Sequence, residues 1–193
     1  MEAHTHRICS IVFIGDGRGR VLLQHRAKRP NFGLWTNVGG KLKGEEGESP
    51  AGCALRELQE ETGVQASLAD LELFGVVSEN NYEGGDNWLM FLFRLLKPVS
   101  ELPPACAEGV HAFHPVAELA RLPLPPVDRS CLWPLFLDRR PGVTMIRIDC
   151  AGGNEGEPII EHGPALQPLG DILARLEQGK KPVQGQGSAP DAP

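Results

Sequence analysis

Hydrophobic and polar residues alternate in short runs along much of the chain, and this pattern predicts β-strands. Two runs, Ile8 to Ile14 and Val21 to His25, flank a turn rich in Gly and Asp, which predicts a β-hairpin. The stretches "LELFGVVSE" and "NWLMFLFRLLK" predict two further strands, and "GVTMIRIDC" and "GEPIIEH" predict two late ones. The apolar positions therefore favour a sheet built from strands spread over the whole sequence.

One segment between these strands has the periodicity of a helix. Its apolar stripe is formed by Ala51, Ala54, Leu55 and Leu58. Ser49 is a good N-cap residue, and Pro50 suits the first helical position. Gly63 suits the position just after the last turn. These signals predict a helix of roughly 13 residues, about the average length.

The second half of the chain mixes both kinds of pattern. "EGVHAFHPVAELARLP" predicts a strand entering a short helix near Val116, and "RSCLWPLFLDRRP" predicts a helix with Pro134 in its first turn or at a kink. "LGDILARLEQG" predicts an amphipathic helix. Strands and helices in this order predict an α/β fold with a mixed sheet. We expect one domain over residues 1–178 and a disordered tail over 179–193, where aromatic residues are absent.

Composition narrows the choice of function. The net charge is −6, with 25 acidic against 19 basic residues, which disfavours stable nucleic-acid binding. An apolar run of the length that spans a membrane, about 18 residues, is absent from the sequence. The five cysteines are widely spaced without a CxxC pair, as expected for reduced thiols in the cytoplasm. A phosphorylated ligand would need a divalent cation to screen its repulsion from such a protein.

Four charged residues crowd the predicted helix, and they are the strongest chemical signal. Glu57, Glu60 and Glu61 share one helical face, where like charges repel each other. The arrangement becomes favourable if Mg²⁺ or Mn²⁺, which take oxygen ligands, binds among them. Arg56 can fold back to pair with Glu48, eight residues earlier, and brace the loop. The alternative is that "RELQEE" is a solvated charged surface.

The flanking residues resemble the signature of the Nudix hydrolase family, G-x5-E-x7-R-E-U-x-E-E-x-G-U, in which U is aliphatic. Its positions are filled by Gly40, Glu48, Arg56, Glu57, Leu58, Glu60, Glu61, Gly63 and Val64. One departure lies in the loop, because seven residues rather than five separate Gly40 from Glu48. The resemblance covers residues 40–64, and the strand order from about residue 7 to 150 is also similar to that of the family.

The resemblance implies an α/β/α sandwich that hydrolyses a nucleoside diphosphate linked to another group, with Mg²⁺ or Mn²⁺. It implies that Glu57, Glu60 and Glu61 hold the metal together with the Gly40 carbonyl. The catalytic set would be Glu57, Glu60 and Arg56, and which glutamate acts as the base stays open. Glu108 matches a further acidic ligand that the family often places after the central strands; the alternative is a surface acid.

Two stretches look most like the MutT, or 8-oxo-dGTP diphosphatase, branch of the family: "GLWTNVGGK" and "LPPVDRSCLWPLFLDRRPGVTMIRID". An acid and an amide, Asp128 and Asn37, suit a purine. Trp35 or Trp133 would stack on the base, and Arg26 would reach a phosphate. The alternatives are that both tryptophans are core residues, that Asp128 caps a helix and that Arg26 is a surface cation. Arg129 stands where some members carry a second aspartate.

Other substrates and another class of function stay open. Tyr82 lies 18 residues after the signature, near the position where dinucleoside-polyphosphate hydrolases often have a tyrosine. Nucleotide sugars and ADP-ribose are further alternatives. A Nudix-fold regulator that binds nucleotide without turnover usually lacks one of the signature glutamates. The expected partner is a small nucleotide, and residues 151–178 are expected to complete the substrate wall or to form a homodimer contact.

Overall fold

The computed structural model describes residues 6–82, 85–151 and 156–179. Within these ranges the strands are β1 (His6–Gly15), β2 (Arg20–Arg26), β3 (Trp35–Thr36), β4 (Val38–Lys41), β5 (Leu71–Tyr82), β6 (Asp86–Leu95), β7 (Gly109–Pro115), β8 (Thr144–Asp149) and β9 (Ile159–His162). The α-helices are α1 (Pro50–Thr62), α2 (Trp133–Asp138) and α3 (Leu169–Gly179). Short 3-10 turns lie at Gly44–Glu46, Leu68–Asp70 and Val116–Arg121.

The strands form a mixed sheet in the order β3-β2-β1-β6-β5-β8-β9. Strand β4 pairs with β1, and β7 pairs with β2. The pairs β1–β6 and β5–β8 are parallel, whereas β5–β6 and β8–β9 are antiparallel. The α/β fold with a mixed sheet, predicted from the sequence, is confirmed.

The predicted hairpin between the first two strands is short. Strands β1 and β2 are paired antiparallel at Ile14↔Leu22 and Gly15↔Val21. Over most of its length β1 instead pairs in parallel with β6, from His6↔Asn87 to Phe13↔Arg94. Because β1 lies in the middle of the sheet, its residues are buried on both faces. A hairpin turn alone does not reveal such a central position.

Helices cover both faces of the sheet. On one face, Val12, Leu22 and Phe93 pack with Ala54 and Leu58 of α1. On the other face, a larger core is formed by residues of the sheet and of the C-terminal helices, among them Phe13, Leu23, Phe74, Trp133, Phe136, Ile146, Leu169 and Leu173. Neighbouring residues of β1 point to opposite faces, as strand geometry requires. The molecule is therefore an α/β/α sandwich.

Helix α1 begins and ends as its sequence predicts. The Ser49 hydroxyl accepts a hydrogen bond from the Gly52 amide at 3.1 Å, and Pro50 is the first helical residue. Gly63 has a left-handed φ of 72°, and its amide donates to the Gln59 carbonyl at 2.8 Å. The Ser10 hydroxyl of β1 donates to the Pro50 carbonyl at 2.7 Å. These contacts fix the acidic face of α1 relative to the sheet.

The C-terminal part also follows the predicted pattern. A π-helical turn at Asp128–Leu132 leads into α2, with Pro134 in the first turn of that helix. Strand β9 extends the sheet edge, and α3 packs against α2. The predicted disordered tail lies outside the described residues apart from Gly179. A helix long and apolar enough to cross a membrane is absent from the described ranges.

Candidate active site

Arg56 donates hydrogen bonds to four oxygen-bearing groups beside the acidic face of α1. Its Nε and Nη2 atoms donate to the two carboxylate oxygens of Glu48, at 2.7 and 3.0 Å. Its Nη1 atom donates to Glu57 at 2.6 Å and to Glu60 at 3.1 Å, and Nη2 also donates to the Lys41 carbonyl at 3.1 Å. The predicted pairing of Arg56 with Glu48 is therefore present. A guanidinium satisfies this set because its donors form a fixed planar fork.

The two extra loop residues do not disturb this arrangement. They are accommodated by the 3-10 turn Gly44–Glu46, which ends at Gly47 with a left-handed φ of 69°. The Lys43 amide donates to Glu48 at 2.8 Å, so the carboxylate is held from the loop as well as from Arg56. The lengthened loop therefore still delivers Glu48 to the helix.

Replacing Arg56 by lysine keeps the charge and removes the fork. We expect Arg56→Lys to lower the free energy of unfolding by about 1–3 kcal/mol, because it breaks charge-assisted hydrogen bonds. We expect kcat to fall about 10- to 100-fold, since the supports of a metal site have effects of that size. Urea unfolding and steady-state kinetics measure the two effects. Arg18→Lys, at an exposed turn position, is the control and should change neither.

Glu48 should make part of the stability depend on pH. The hydrogen bonds from Arg56 lower the pKa of Glu48 from its usual 4.5 to about 2. A depressed pKa in the folded state stabilises the protein above the unfolded value, and this contribution disappears as pH falls toward the folded value. We expect the wild type to lose its stability advantage over Glu48→Gln between about pH 5 and pH 2. Chemical denaturation of both proteins across this range tests it; a constant difference would contradict it.

Glu57 lies directly against the glycine pair of β4. A Cβ atom added to Gly40 would lie 2.1 Å from Glu57 Oε1, closer than two such atoms can approach. The Gly40 carbonyl accepts a contact from the Cys53 thiol at 3.4 Å. Burial raises the pKa of Glu57, while Arg56 opposes the shift. The glycine therefore makes room for a carboxylate beside a backbone carbonyl.

Glu61 is the most enclosed acid of the helix, with 6% of its surface exposed. The Gly39 amide donates to its carboxylate at 3.2 Å. Burial, with contributions from Glu57 and Glu108, raises the pKa of Glu61 to about 7, although Arg26 and the Gly39 bond act in the opposite direction. Glu57 and Glu61 of α1 and Glu108 therefore lie close enough to repel one another. A cation bound among them would relieve this repulsion.

Glu108 comes to this group from the turn before β7. Its carboxylate lies 3.3 Å from Arg26 Nη2 and 3.2 Å from Lys28 Nζ. Arg26 also donates to the Pro30 carbonyl at 3.1 Å. Glu108, the predicted metal ligand, and Arg26, the predicted phosphate contact, are therefore neighbours, and they form an ion pair.

The donors around these acids suit a hard divalent cation. They are carboxylate oxygens and the Gly40 carbonyl, the oxygen ligands that Mg²⁺ and Mn²⁺ bind. Within the described ranges, His, Cys, Asp and Glu side chains do not form a group of three or more in ligating geometry. The Arg56 Nη1 atom lies between two of the carboxylates and donates to both Glu57 and Glu60. The oxygen donors fit such a cation chemically, and the Glu60 side chain, 55% exposed, would have to turn toward Glu57 and Glu61 to share it.

A cavity of about 180 Å³ opens next to the glycine pair, on the sheet face opposite α1. It is larger than the ~150 Å³ cavity that holds a benzene ring, so it has room for one flat base. Arg26, Asn37, Gly40 and Asp128 line it. The structure therefore brings three of the four predicted substrate contacts to one cavity, with Gly40 at its border with the acids.

Some polar groups of the cavity have no hydrogen-bond partner among the described residues of the protein. Asn37 is 7% exposed, and neither its amide oxygen nor its amide nitrogen has a hydrogen-bond partner. Burial, and then the nearby charge of Glu79, raises the pKa of Asp128 to about 8. Asp128 does not cap its helical turn, because Val127 occupies the cap position and no side chain caps it. Both residues are thus available to a ligand.

The structure does not bring Trp35 to this cavity. Its ring lies between His25 and His114, with centroids 4.9 and 4.4 Å away, and packs at the edge of the larger core. In β3 the neighbouring Thr36 lines the cavity instead. Trp133 is fully buried against Phe13. The expected stacking role of Trp35 is therefore not supported by its position.

Other residues also line the cavity, and three of them, Glu79, Trp88 and Tyr82, carry polar groups although they were not predicted as its base or phosphate contacts. Glu79, on β5, is 5% exposed, and Trp88, on β6, has an indole N–H without a partner. Tyr82 also lines the cavity, and its hydroxyl donates to Asn31 of the loop after β2, so it anchors that loop. An acid at an inward position, two residues after the buried Val77, was the available signal for Glu79.

Several known proteins are similar to this chain in sequence. The model of the NUDIX domain family matches residues 4–132. The Nudix hydrolase YvcI of Bacillus subtilis is 29% identical over 106 residues, which cover 54% of this chain and 66% of that protein. An RNA pyrophosphohydrolase of Erythrobacter litoralis is 38% identical over 70 residues, 36% of this chain and 42% of its own length. The chain thus spans less than two thirds of each of these relatives.

Among solved structures, the mutator MutT protein of Bacillus halodurans has a similar fold. The two superpose with a TM-score of 0.63 at 22% identity, over 82% of this chain and 99% of that one. At this identity the likeness concerns the arrangement of helices and strands. It supports the α/β/α architecture and leaves the substrate to be argued from the site.

Proposed function

This chain belongs to the NUDIX domain family, and from that premise we propose that it is a metal-dependent pyrophosphohydrolase. It hydrolyses purine nucleoside triphosphates, including oxidised forms such as 8-oxo-dGTP, to the monophosphate and pyrophosphate. The observation that carries the proposal is the contact between Gly40 and Glu57, which places the acids of α1 at the border of a base-sized cavity. The proposed location is the cytoplasm, since all five cysteines are free thiols.

The acids have two roles, metal binding and proton transfer. Glu57, Glu60, Glu61 and the Gly40 carbonyl would hold Mg²⁺ or Mn²⁺, with Glu108 as a further ligand. When bound, the cation offsets the charge of the phosphoryl oxygens and makes a water a better nucleophile. Glu57 or Glu60 accepts the proton of the attacking water. Arg56 does not reach the substrate; it positions Glu57 by holding it together with Glu48.

The substrate is held on the other side of Gly40. Arg26 points its guanidinium toward Glu108 at the cavity rim, where it can exchange that partner for a phosphate. Asn37 and Asp128 meet the edge of the base inside the cavity. The base would then lie inside the cavity and the phosphates at the Arg26 side of the same cavity, next to the glycine pair that separates it from the acids of α1.

The proposal is tested by product analysis with a panel of nucleotides. With Mg²⁺, the protein should release pyrophosphate from dGTP or 8-oxo-dGTP with a higher kcat/KM than from diadenosine polyphosphates, ADP-ribose or sugar nucleotides. Preference for one of these last three would move the substrate assignment to another branch of the family. Binding of nucleotide without any turnover would leave the non-catalytic regulator.

The RNA pyrophosphohydrolase match does not extend the proposal to RNA. It spans 70 residues, about a third of the chain. The net charge of −6 gives little attraction to an RNA backbone. A substrate wall or a homodimer contact formed by residues 151–178 stays a prediction; of this segment, the described residues 151 and 156–178 do not line the cavity.

A further inference from the structure

The cavity contains a second acid that reaches it from an unexpected element. Asp128 of this cavity is followed in the chain by Arg129. The Arg129 side chain turns away and donates to the carbonyls of Ala120 and Leu122, the latter at 2.6 Å. These bonds hold Arg129 against the segment before Asp128, so its side chain cannot contact a nucleotide base in the cavity. Glu79 of β5 instead places its carboxyl in the same cavity as Asp128.

The surroundings of Glu79 do not explain why an acid is buried there. Its only described hydrogen-bond neighbour is the Cys150 thiol, a weak donor 3.8 Å from Oε1. Asp128 has no hydrogen-bond partner among the described side chains and backbone amides. Burial raises the pKa of Glu79 to about 7, and Glu79 in turn raises that of Asp128. A buried Glu79 next to a partly buried Asp128 is costly unless something donates to the two acids.

Two other residues of the same cavity, Trp88 and Asn37, carry hydrogen-bonding groups without a partner in the described ranges, and both of them can donate. The Trp88 indole N–H is buried, donates only, and has no acceptor. The Asn37 amide is buried, with its donor and its acceptor both unpaired. The Thr36 hydroxyl, on another residue that lines the cavity, is also buried and has no partner in the same ranges. Buried polar groups are normally hydrogen-bonded, and several unpaired groups on the walls of one cavity indicate a ligand that completes them. Two acids, the Trp88 indole and the Asn37 amide define what that ligand must present.

We infer that Glu79 determines base specificity, receiving together with Asp128 the two adjacent N–H donors of a guanine-type edge. This inference rests on the proposed function, because it assigns the base of the same substrate. Guanine has a ring N–H next to an exocyclic amino group, and its carbonyl can accept from Trp88 or Asn37. Adenine has no carbonyl and no ring N–H, and its edge offers one exocyclic amino donor beside a ring acceptor. The edge that matches all four groups is therefore that of guanine or 8-oxoguanine.

The test uses ligand binding without metal, so that it is independent of turnover. Calorimetric titration of the full chain with dGMP, dIMP and dAMP in EDTA compares bases that differ in single groups. dIMP lacks only the exocyclic amino group of dGMP. We expect the wild type to bind dGMP about 10-fold or more tightly than dIMP, because a lost partner leaves a buried acid unpaired. dAMP should also bind more weakly than dGMP.

The role of Glu79 is isolated by substitution. In Glu79→Gln the preference for dGMP over dIMP should fall to about threefold or less, because the amide has one acceptor and brings its own donor. Glu101→Gln makes the same chemical change at an exposed loop position and should keep the wild-type preference. An unchanged preference in Glu79→Gln overturns the inference. Equal binding of dGMP and dIMP by the wild type also overturns it, and needs no variant to fold.

These outcomes separate this inference from the proposed function. If the base preference depends on Glu79 but no pyrophosphate is released with Mg²⁺, the specificity role stands and the enzymatic proposal fails. If pyrophosphate is released without any guanine preference, the enzyme stands and the role of Glu79 fails.

Discussion

Glu57→Gln should lower kcat by about 10²- to 10⁴-fold, the range that a lost base or charged ligand commonly causes. Glu57 is the acid that touches both Gly40 and Arg56, so its charge lies at the centre of the site. The amide fills the same volume, and the fold should therefore be kept. Steady-state kinetics with Mg²⁺ and thermal unfolding measure the two quantities together.

The matched control for this prediction is Glu45→Gln. Glu45 is an exposed acid in the loop before α1 and lies outside the hydrogen-bond set of Arg56. It makes the same change in total charge, and its kcat should stay within about twofold of the wild type, since exposed substitutions of this kind have small effects. Activity retained by Glu57→Gln would remove Glu57 from the catalytic set.

Gly40→Ala should disable the site through a single methyl group. The added Cβ would meet Glu57 Oε1 at 2.1 Å and its carboxyl carbon at 2.3 Å, so the carboxylate must move. A displacement of about 1 Å can cost about 10²-fold in rate, and we expect at least that loss in kcat/KM. Overpacking should also lower the free energy of unfolding by about 1–3 kcal/mol. Kinetics and urea unfolding measure these effects.

Gly44→Ala provides the comparison within the same loop. A Cβ atom at Gly44 would have no other atom within 4 Å, so activity and stability should be close to those of the wild type. If both alanine variants lose activity equally, the loss comes from stiffening the loop. If neither does, the close approach of Glu57 to Gly40 is not needed for catalysis.

Local signals predicted the acidic helix well because its determinants lie within it. Ser49, Pro50 and Gly63 set its limits through their own backbone preferences, and the spacing of its acids follows from helical geometry. The Arg56–Glu48 pair was also predictable, since both residues lie in one continuous segment. Features encoded within about fifteen residues were therefore visible in the sequence.

The cavity was harder to predict because its walls come from distant strands. Whether Trp35 or Thr36 faces inward depends on how β3 pairs with β2, and the sequence does not state that register. Glu79 and Trp88 enter the cavity because β5 and β6 pair with each other at these positions. An isolated acid in a strand pattern does not reveal which face it lies on. Tertiary pairing decided these positions.

The most direct test of the central claim is a pyrophosphate-release assay with 8-oxo-dGTP and dGTP, run with Mg²⁺ and with EDTA. The predicted result is stoichiometric monophosphate and pyrophosphate with Mg²⁺, and loss of both products in EDTA. Release of orthophosphate instead, or turnover that continues in EDTA, would contradict the account of a metal held by Glu57, Glu60 and Glu61 beside a purine cavity.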